Sequence, residues 1–125
     1  MPACRILIVE DEALIAMDIQ DMVEEMGYDV CGVASSASGA VTMARQLEPD
    51  VVLMDVRLRG PGDGVDAAQE IHAGRNVPIV YLTASGDQAT VDRINQDHPA
   101  SILPKPVRRQ MLASVLDRLL RGGGG

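Results

Sequence analysis

The sequence predicts an α/β fold, a single parallel sheet covered by helices on both faces. Two observations carry this. Strand-like and helix-like patterns alternate five times along the 125 residues, with no internal repeat and no interdomain linker. Four of the apolar runs also stop on polar residues, and parallel strands would bring those stops to the edge where open α/β sheets bind ligands.

Each element can be justified in turn. Cys4-Arg5-Ile6-Leu7-Ile8-Val9 reads as the first strand and runs into Glu10-Asp11-Glu12. Ile15, Ile19, Met22, Val23 and Met26 recur at helical spacing and stop at Gly27, a C-cap signal. Asp29 to Ala34 reads as a second strand. Ala37, Ala40, Val41, Ala44 and Leu47 mark a helix that ends before Pro49, and Val51-Val52-Leu53-Met54 leads into Asp55. The loop 57–64 precedes a helix carrying Val65, Ala68 and Ile71. Pro78-Ile79-Val80-Tyr81-Leu82 reaches Thr83, and a polar helix is expected near Asp87–Asn95. Ile102-Leu103-Pro104 runs into Lys105-Pro106. Met111, Leu112, Val115, Leu116, Leu119 and Leu120 mark the last helix. Right-handed crossovers leave few topologies for such a chain.

Composition narrows the function. Hydrophobic residues make up 46% of the chain, enough for a core, but aromatics make up 2%, so that core is aliphatic. Base-stacking modules need aromatic platforms, and a net charge of −7 opposes binding to nucleic-acid phosphates. No apolar run is long enough to span a bilayer and no signal-peptide pattern opens the chain, so a cytoplasmic location is expected. Cys4 and Cys31 lack metal-ligand spacing and read as buried reduced thiols. His72 and His98 read as surface residues.

The residues at the strand ends fit one chemistry. Taken singly, Glu10, Asp11 and Glu12 could be helix N-terminal acids, Asp55 a turn residue and Lys105 a surface lysine. Taken together they form an acid cluster facing a lone aspartate, a hydroxyl and a lysine. Two carboxylates 4 Å apart repel by about 4 kcal/mol at an effective dielectric near 20. A cation relieves that repulsion, and oxygen donors without clustered His or Cys point to Mg²⁺. Asp55 can supply a nucleophilic carboxylate. Lys105 and Mg²⁺ can neutralise phosphoryl oxygens, and the Thr83 hydroxyl can hydrogen-bond one of them. Pro106 holds Lys105 on a constrained backbone, with a cis peptide as one option.

Ile6-Leu7-Ile8-Val9-Glu10-Asp11-Glu12, Val51-Val52-Leu53-Met54-Asp55, Leu82-Thr83-Ala84 and Lys105-Pro106 resemble, in order and interval, the receiver domain of two-component response regulators. The resemblance runs from about residue 4 to 120. It implies a flavodoxin-like doubly wound sheet of order 2-1-3-4-5, with residues 1–121 as the receiver domain and 122–125 as a flexible glycine tail. It also implies phosphorylation of Asp55 by a histidine kinase or histidine phosphotransfer protein, with Thr83 and Lys105 assisting. Asp11 and Asp55 would bind Mg²⁺ directly, Glu10 mostly through water, and the backbone carbonyl of Arg57 would complete the protein ligands. The switched surface would be that of the fourth helix, fifth strand and fifth helix, read by a downstream protein or output domain. Three features depart from the family pattern, the first being a polar helix after Thr83 with Asp97-His98-Pro99-Ala100 in place of the usual small-residue turn. Ile102 stands where an aromatic is usual, three residues before the lysine, and the loop after Asp55 is one residue longer, with its proline at Pro61.

Two enzyme-like or carrier readings compete. A phosphatase of the haloacid dehalogenase type wants a second acid two residues after its nucleophile, where this chain has Arg57. A flavin carrier wants a Ser/Thr/Gly-rich phosphate loop after the first strand, where this chain has three acids. A receiver that never accepts phosphate is a further alternative, against which every key residue is present.

Overall fold

The computed structural model describes residues 4–84 and 88–121. The expected tail 122–125, residue 87 and the segment 85–87 after Thr83-Ala84 lie outside them. Five strands and five helices alternate: β1 (Arg5–Val9), α1 (Ala13–Glu25), β2 (Asp29–Ala34), α2 (Ala37–Leu47), β3 (Val51–Asp55), α3 (Gly64–Gly74), β4 (Ile79–Thr83), α4 (Gln88–Asn95), β5 (Ser101–Pro104) and α5 (Arg109–Leu120). The strands form one parallel sheet in the order β2-β1-β3-β4-β5, the doubly wound, flavodoxin-like arrangement.

Alternate residues of each strand feed opposite cores. Ile6, Ile8, Val51, Leu53, Val80 and Leu82 meet α1 and α5. Leu7, Val9, Val52, Met54, Ile79 and Tyr81 meet α2, α3 and Ile94 of α4. Burial on both faces explains why β1, β3 and β4 read as unbroken apolar runs. The large fully buried side chains are aliphatic apart from Tyr81.

Local signals set the helix ends. Gly27, at φ +93°, takes the left-handed turn that closes α1. The Ser36 hydroxyl accepts from the Gly39 N–H at 3.1 Å and opens α2. At α3, Asp63 accepts from the Asp66 N–H at 3.0 Å, while Asp66 accepts from the Asp63 N–H at 2.9 Å, a reciprocal capping box. Gly64 begins α3 against the strand carrying Asp55. A Cβ built there would lie 2.1 Å from the Asp55 carbonyl oxygen, so only glycine permits this approach.

Two expectations need correcting. His72 is not a surface residue. Its Nδ1 lies 2.8 Å from Asp97 Oδ2 and its Nε2 lies 2.8 Å from the Val77 carbonyl, in a half-buried position. The sequence could not show this, because the partners stand five and 25 residues away. His98 is exposed as expected. Cys4 and Cys31 are free thiols, but half-buried rather than fully buried.

Candidate functional site

The sheet changes direction between β1 and β3: the chain leaves β1 for β2 on one side and returns to build β3, β4 and β5 on the other. Ligands sit at the carboxyl ends of strands at such a switch point. Glu10 and Asp11 leave β1 there, and Asp55 ends β3 beside them. Thr83 ends the next strand, β4, and Lys105 follows β5. A cleft of about 260 Å³ opens at this edge, lined by Asp11, Asp55, Arg57, Thr83 and Lys105 among others.

Glu10, Asp55 and Thr83 are the buried polar residues among those described. Lys105 joins two of them. Its Nζ donates to Glu10 Oε1 at 2.8 Å and to Asp55 Oδ2 at 3.0 Å. Burial alone would weaken this ammonium, but the hydrogen bonds to the two carboxylates outweigh burial and raise its pKa above the ordinary lysine value. The Lys105 N–H also donates to the Thr83 carbonyl at 3.0 Å, so the lysine is fixed to the end of β4 by its backbone and to β1 and β3 by its side chain. The Lys105–Pro106 peptide is cis.

The remaining carboxylate oxygens are placed from both strand ends. Glu10 Oε2 accepts from the Glu12 N–H at 3.1 Å, next to the start of α1. Asp55 Oδ1 accepts from the Arg57 N–H at a long 3.3 Å. Asp11 faces the exposed guanidinium of Arg59 at 3.4 Å. Glu10, Asp11 and Asp55 each offer a carboxylate oxygen, all within 4.8 Å of one another. Lys105 supplies one positive charge against three carboxylates, so the cluster could bind a metal, and its all-oxygen donor set suits a hard divalent cation.

The five residues expected from the strand ends are thus gathered at one edge. Arg59 was not anticipated; nothing in a loop of mixed charges marks which arginine will face Asp11. Gly64 was not singled out either, although a glycine opening a helix directly after the loop that follows β3 is a signal of close backbone approach.

Fold and site together define a doubly wound α/β domain with one acidic, lysine-bridged crevice. The response regulator receiver domain family matches residues 6–117, and the chain belongs to that family. It is similar to the transcriptional regulatory protein PdtaR of Mycobacterium tuberculosis, 44% identical over 102 residues that cover 82% of this chain and 49% of PdtaR. The chain therefore spans about half the length of that relative. It is also similar to the signal receiver domain of a modulated diguanylate cyclase from Desulfovibrio desulfuricans G20, with TM-score 0.89, 36% identity, and 98% of this chain and 97% of that one covered. The receiver domain of the sensor histidine kinase PA1611 from Pseudomonas aeruginosa PAO1 aligns with TM-score 0.84 at 35% identity, covering 94% of this chain and 97% of that one. That structure has a magnesium ion coordinated in its active site cleft. Among the described residues of the present chain no helix is long and apolar enough to cross a membrane.

Proposed function

We propose that Asp55 is the phosphoryl acceptor of a two-component relay, charged by a histidine kinase or a histidine phosphotransfer protein with Mg²⁺ at Glu10, Asp11, Asp55 and the Arg57 carbonyl. The observation that carries this reading is the Lys105 bridge: one ammonium holds the Asp55 carboxylate against a buried acid at the sheet's switch point. Among the described residues, Asp55 Oδ1 accepts the long bond from the Arg57 N–H, against the 3.0 Å bond from Lys105 to Oδ2, so Oδ1 is the less tightly held oxygen. It would attack the phosphorus of a phosphohistidine, forming the O–P bond as the P–N bond breaks and the imidazole leaves. Lys105 keeps Asp55 oriented, and its charge offsets that of the incoming oxygens. The Thr83 hydroxyl would donate to one of those oxygens. Bound Mg²⁺ would supply charge neutralisation of the transferring group and relief of carboxylate repulsion.

The family's coarser role, a signalling domain rather than a turnover enzyme, leaves the output to a partner or a further domain. The surface of α4, β5 and α5 is the proposed exit for the signal, because Thr83 and Lys105 border it. Phosphorylation adds about −1.5 to −2 charge at Asp55, enough to bias a nearly balanced element.

Phosphoramidate with Mg²⁺, followed by intact mass spectrometry, tests the assignment. Wild type should gain one phosphoryl group and Asp55→Ala none; unchanged labelling of the variant would refute it. In the same preparations, millimolar Mg²⁺ should raise the melting temperature of wild type by mass action, and Asp11→Ala should abolish the rise.

A further inference from the structure

α4 is weakly seated by its own sequence. Among its residues only Ile94 is buried. What holds it instead is a set of polar ties to α3. Arg93 Nη1 donates to Asp63 Oδ2 at 2.7 Å, and Nη2 donates to Asp63 Oδ1 at 3.2 Å and to Asp66 Oδ1 at 3.3 Å. This is a two-pronged guanidinium–carboxylate pair, the geometry in which an ion pair is strongest. Just past the end of α4, Asp97 pairs with His72 of α3 at 2.8 Å. Between the two ties lies Tyr81, fully buried, its hydroxyl without a hydrogen-bond partner among the described residues. Asp97, Asp63 and Arg93 all act on that phenol electrostatically. The pair is mutual: the Asp63 hydrogen bond raises the Arg93 pKa. At Asp63, burial is opposed by its bonds to Arg93 and Asp66, which leave the carboxyl below its ordinary value.

The far end of the Arg93 tie leads to the acceptor strand. Asp63 is the N-cap of α3, and the next residue, Gly64, packs its Cα so close to the Asp55 carbonyl that no Cβ fits. The Gly64 N–H donates to the Val56 carbonyl at 2.7 Å, which fixes the helix start to the residue after Asp55. A continuous line of packed backbone and paired charge thus runs from Asp55 through Gly64 and Asp63 to Arg93.

We propose that Arg93 is a coupling residue that ties α4 to the Asp55 strand through the N-terminus of α3, so that displacement of the Asp55 backbone reaches α4 without passing through Thr83. The tie itself stands on the geometry; its use in signalling rests on Asp55 being the phosphoryl acceptor. The route is a polar one because Ile102, partly buried against the same core, offers no hydrogen-bonding ring to relay a change.

Amide hydrogen exchange on the full chain tests both parts. Without ligand, Arg93→Met, which keeps an apolar stem, should speed exchange at residues 88–97 severalfold, up to about fivefold, while leaving α2 unchanged. Asp63→Asn, which keeps a capping acceptor, should do the same. With Mg²⁺ and beryllofluoride, a phosphoryl mimic, wild type should change at residues 64–68 and 88–97 together. Arg93→Met should keep the first change and lose most of the second. Wild-type exchange rates at residues 88–97 in both variants would overturn the tie. A full-sized beryllofluoride response at 88–97 in Arg93→Met would overturn the coupling. A wild type with no response to beryllofluoride would refute the acceptor reading and the coupling with it, while the ligand-free comparison would still decide the tie.

Discussion

α2 and α4 cover the same face of the sheet, but different forces hold them there. α2 buries Ala37, Ala40, Val41 and Ala44, whereas α4 buries Ile94 alone and relies on Arg93 and the Asp97–His72 pair. Apolar seating is non-directional and indifferent to events at the crevice. A charge pair has a direction and a fixed partner, so it can be broken by moving that partner. The helix held by charges is also the helix that follows Thr83 in the chain. The contrast separates a helix seated by apolar packing from one whose seat depends on where its charged partners stand.

The largest effect that sharpens this contrast should come from Gly64→Ala. The added methyl meets backbone rather than a flexible side chain, so either α3 or the end of β3 must shift. A loss of about 3 kcal/mol in denaturant unfolding is expected, together with slower labelling of Asp55. Stability equal to wild type would show that α3 is not pressed against β3.

A second comparison pits the two seats against each other. Ile94→Ala should cost about 2–4 kcal/mol, and because Ile94 is the one buried side chain of α4, the loss should appear as local opening of residues 88–97. Val41→Ala should cost about 1–2 kcal/mol, spread across the whole domain as a lower global unfolding energy. Equal local protection of α2 and α4 in the two variants would break the distinction.

The smallest effect is acid release of the Arg93 tie. Asp63 faces Arg93 of α4 and Asp66 of its own helix, with Tyr81 beneath, and its carboxyl is held below the ordinary value. A depressed carboxyl contributes stability above its unfolded pKa of about 4 and loses it as pH falls through the lower folded value. The pair is partly exposed, so the contribution is about 1 kcal/mol or less. Spectra of α4 amides should therefore shift between about pH 4 and the lower folded value while those of α2 hold, and Arg93→Met should lack the step. Identical acid profiles for wild type and variant would remove the tie as the cause.

Much of the fold was legible because it depends on local pattern. Strands buried on both faces show as apolar runs, and Gly27 and Pro49 mark where helices must stop. The bounds of β2 and α2 follow directly from these signals. The gathering of Glu10, Asp11, Asp55, Thr83 and Lys105 was legible as well, since parallel strands necessarily align their carboxyl ends. The ties of α4 were not. Whether Arg93 meets Asp63, or His72 meets Asp97, depends on how two helices lie across a sheet, and no local pattern encodes a pair 30 or 25 residues apart. Arg93 in sequence is one more charge on a polar helix.

The chain has two tyrosines and no tryptophan, so its near-ultraviolet absorbance comes from two phenols of known position. Tyr28 donates its hydroxyl to Asp117 at 2.7 Å; burial first, then this carboxylate, push its pKa up to about 12. Burial, followed by the nearby Asp97 and Asp63 carboxylates, drives Tyr81 higher still. Phenols of an open chain ionise near pH 10. Stability owed to the neutral native phenols is therefore complete below that pH and is lost as pH climbs toward the folded values. After a rapid jump to about pH 11, native molecules show little tyrosinate absorbance, about a tenth of that from Tyr28, and the rest grows as structure over a phenol gives way. Tyr81 lies in the core that α4 closes, so the domain carries its own chromophore for timing the release of that helix, without an added dye.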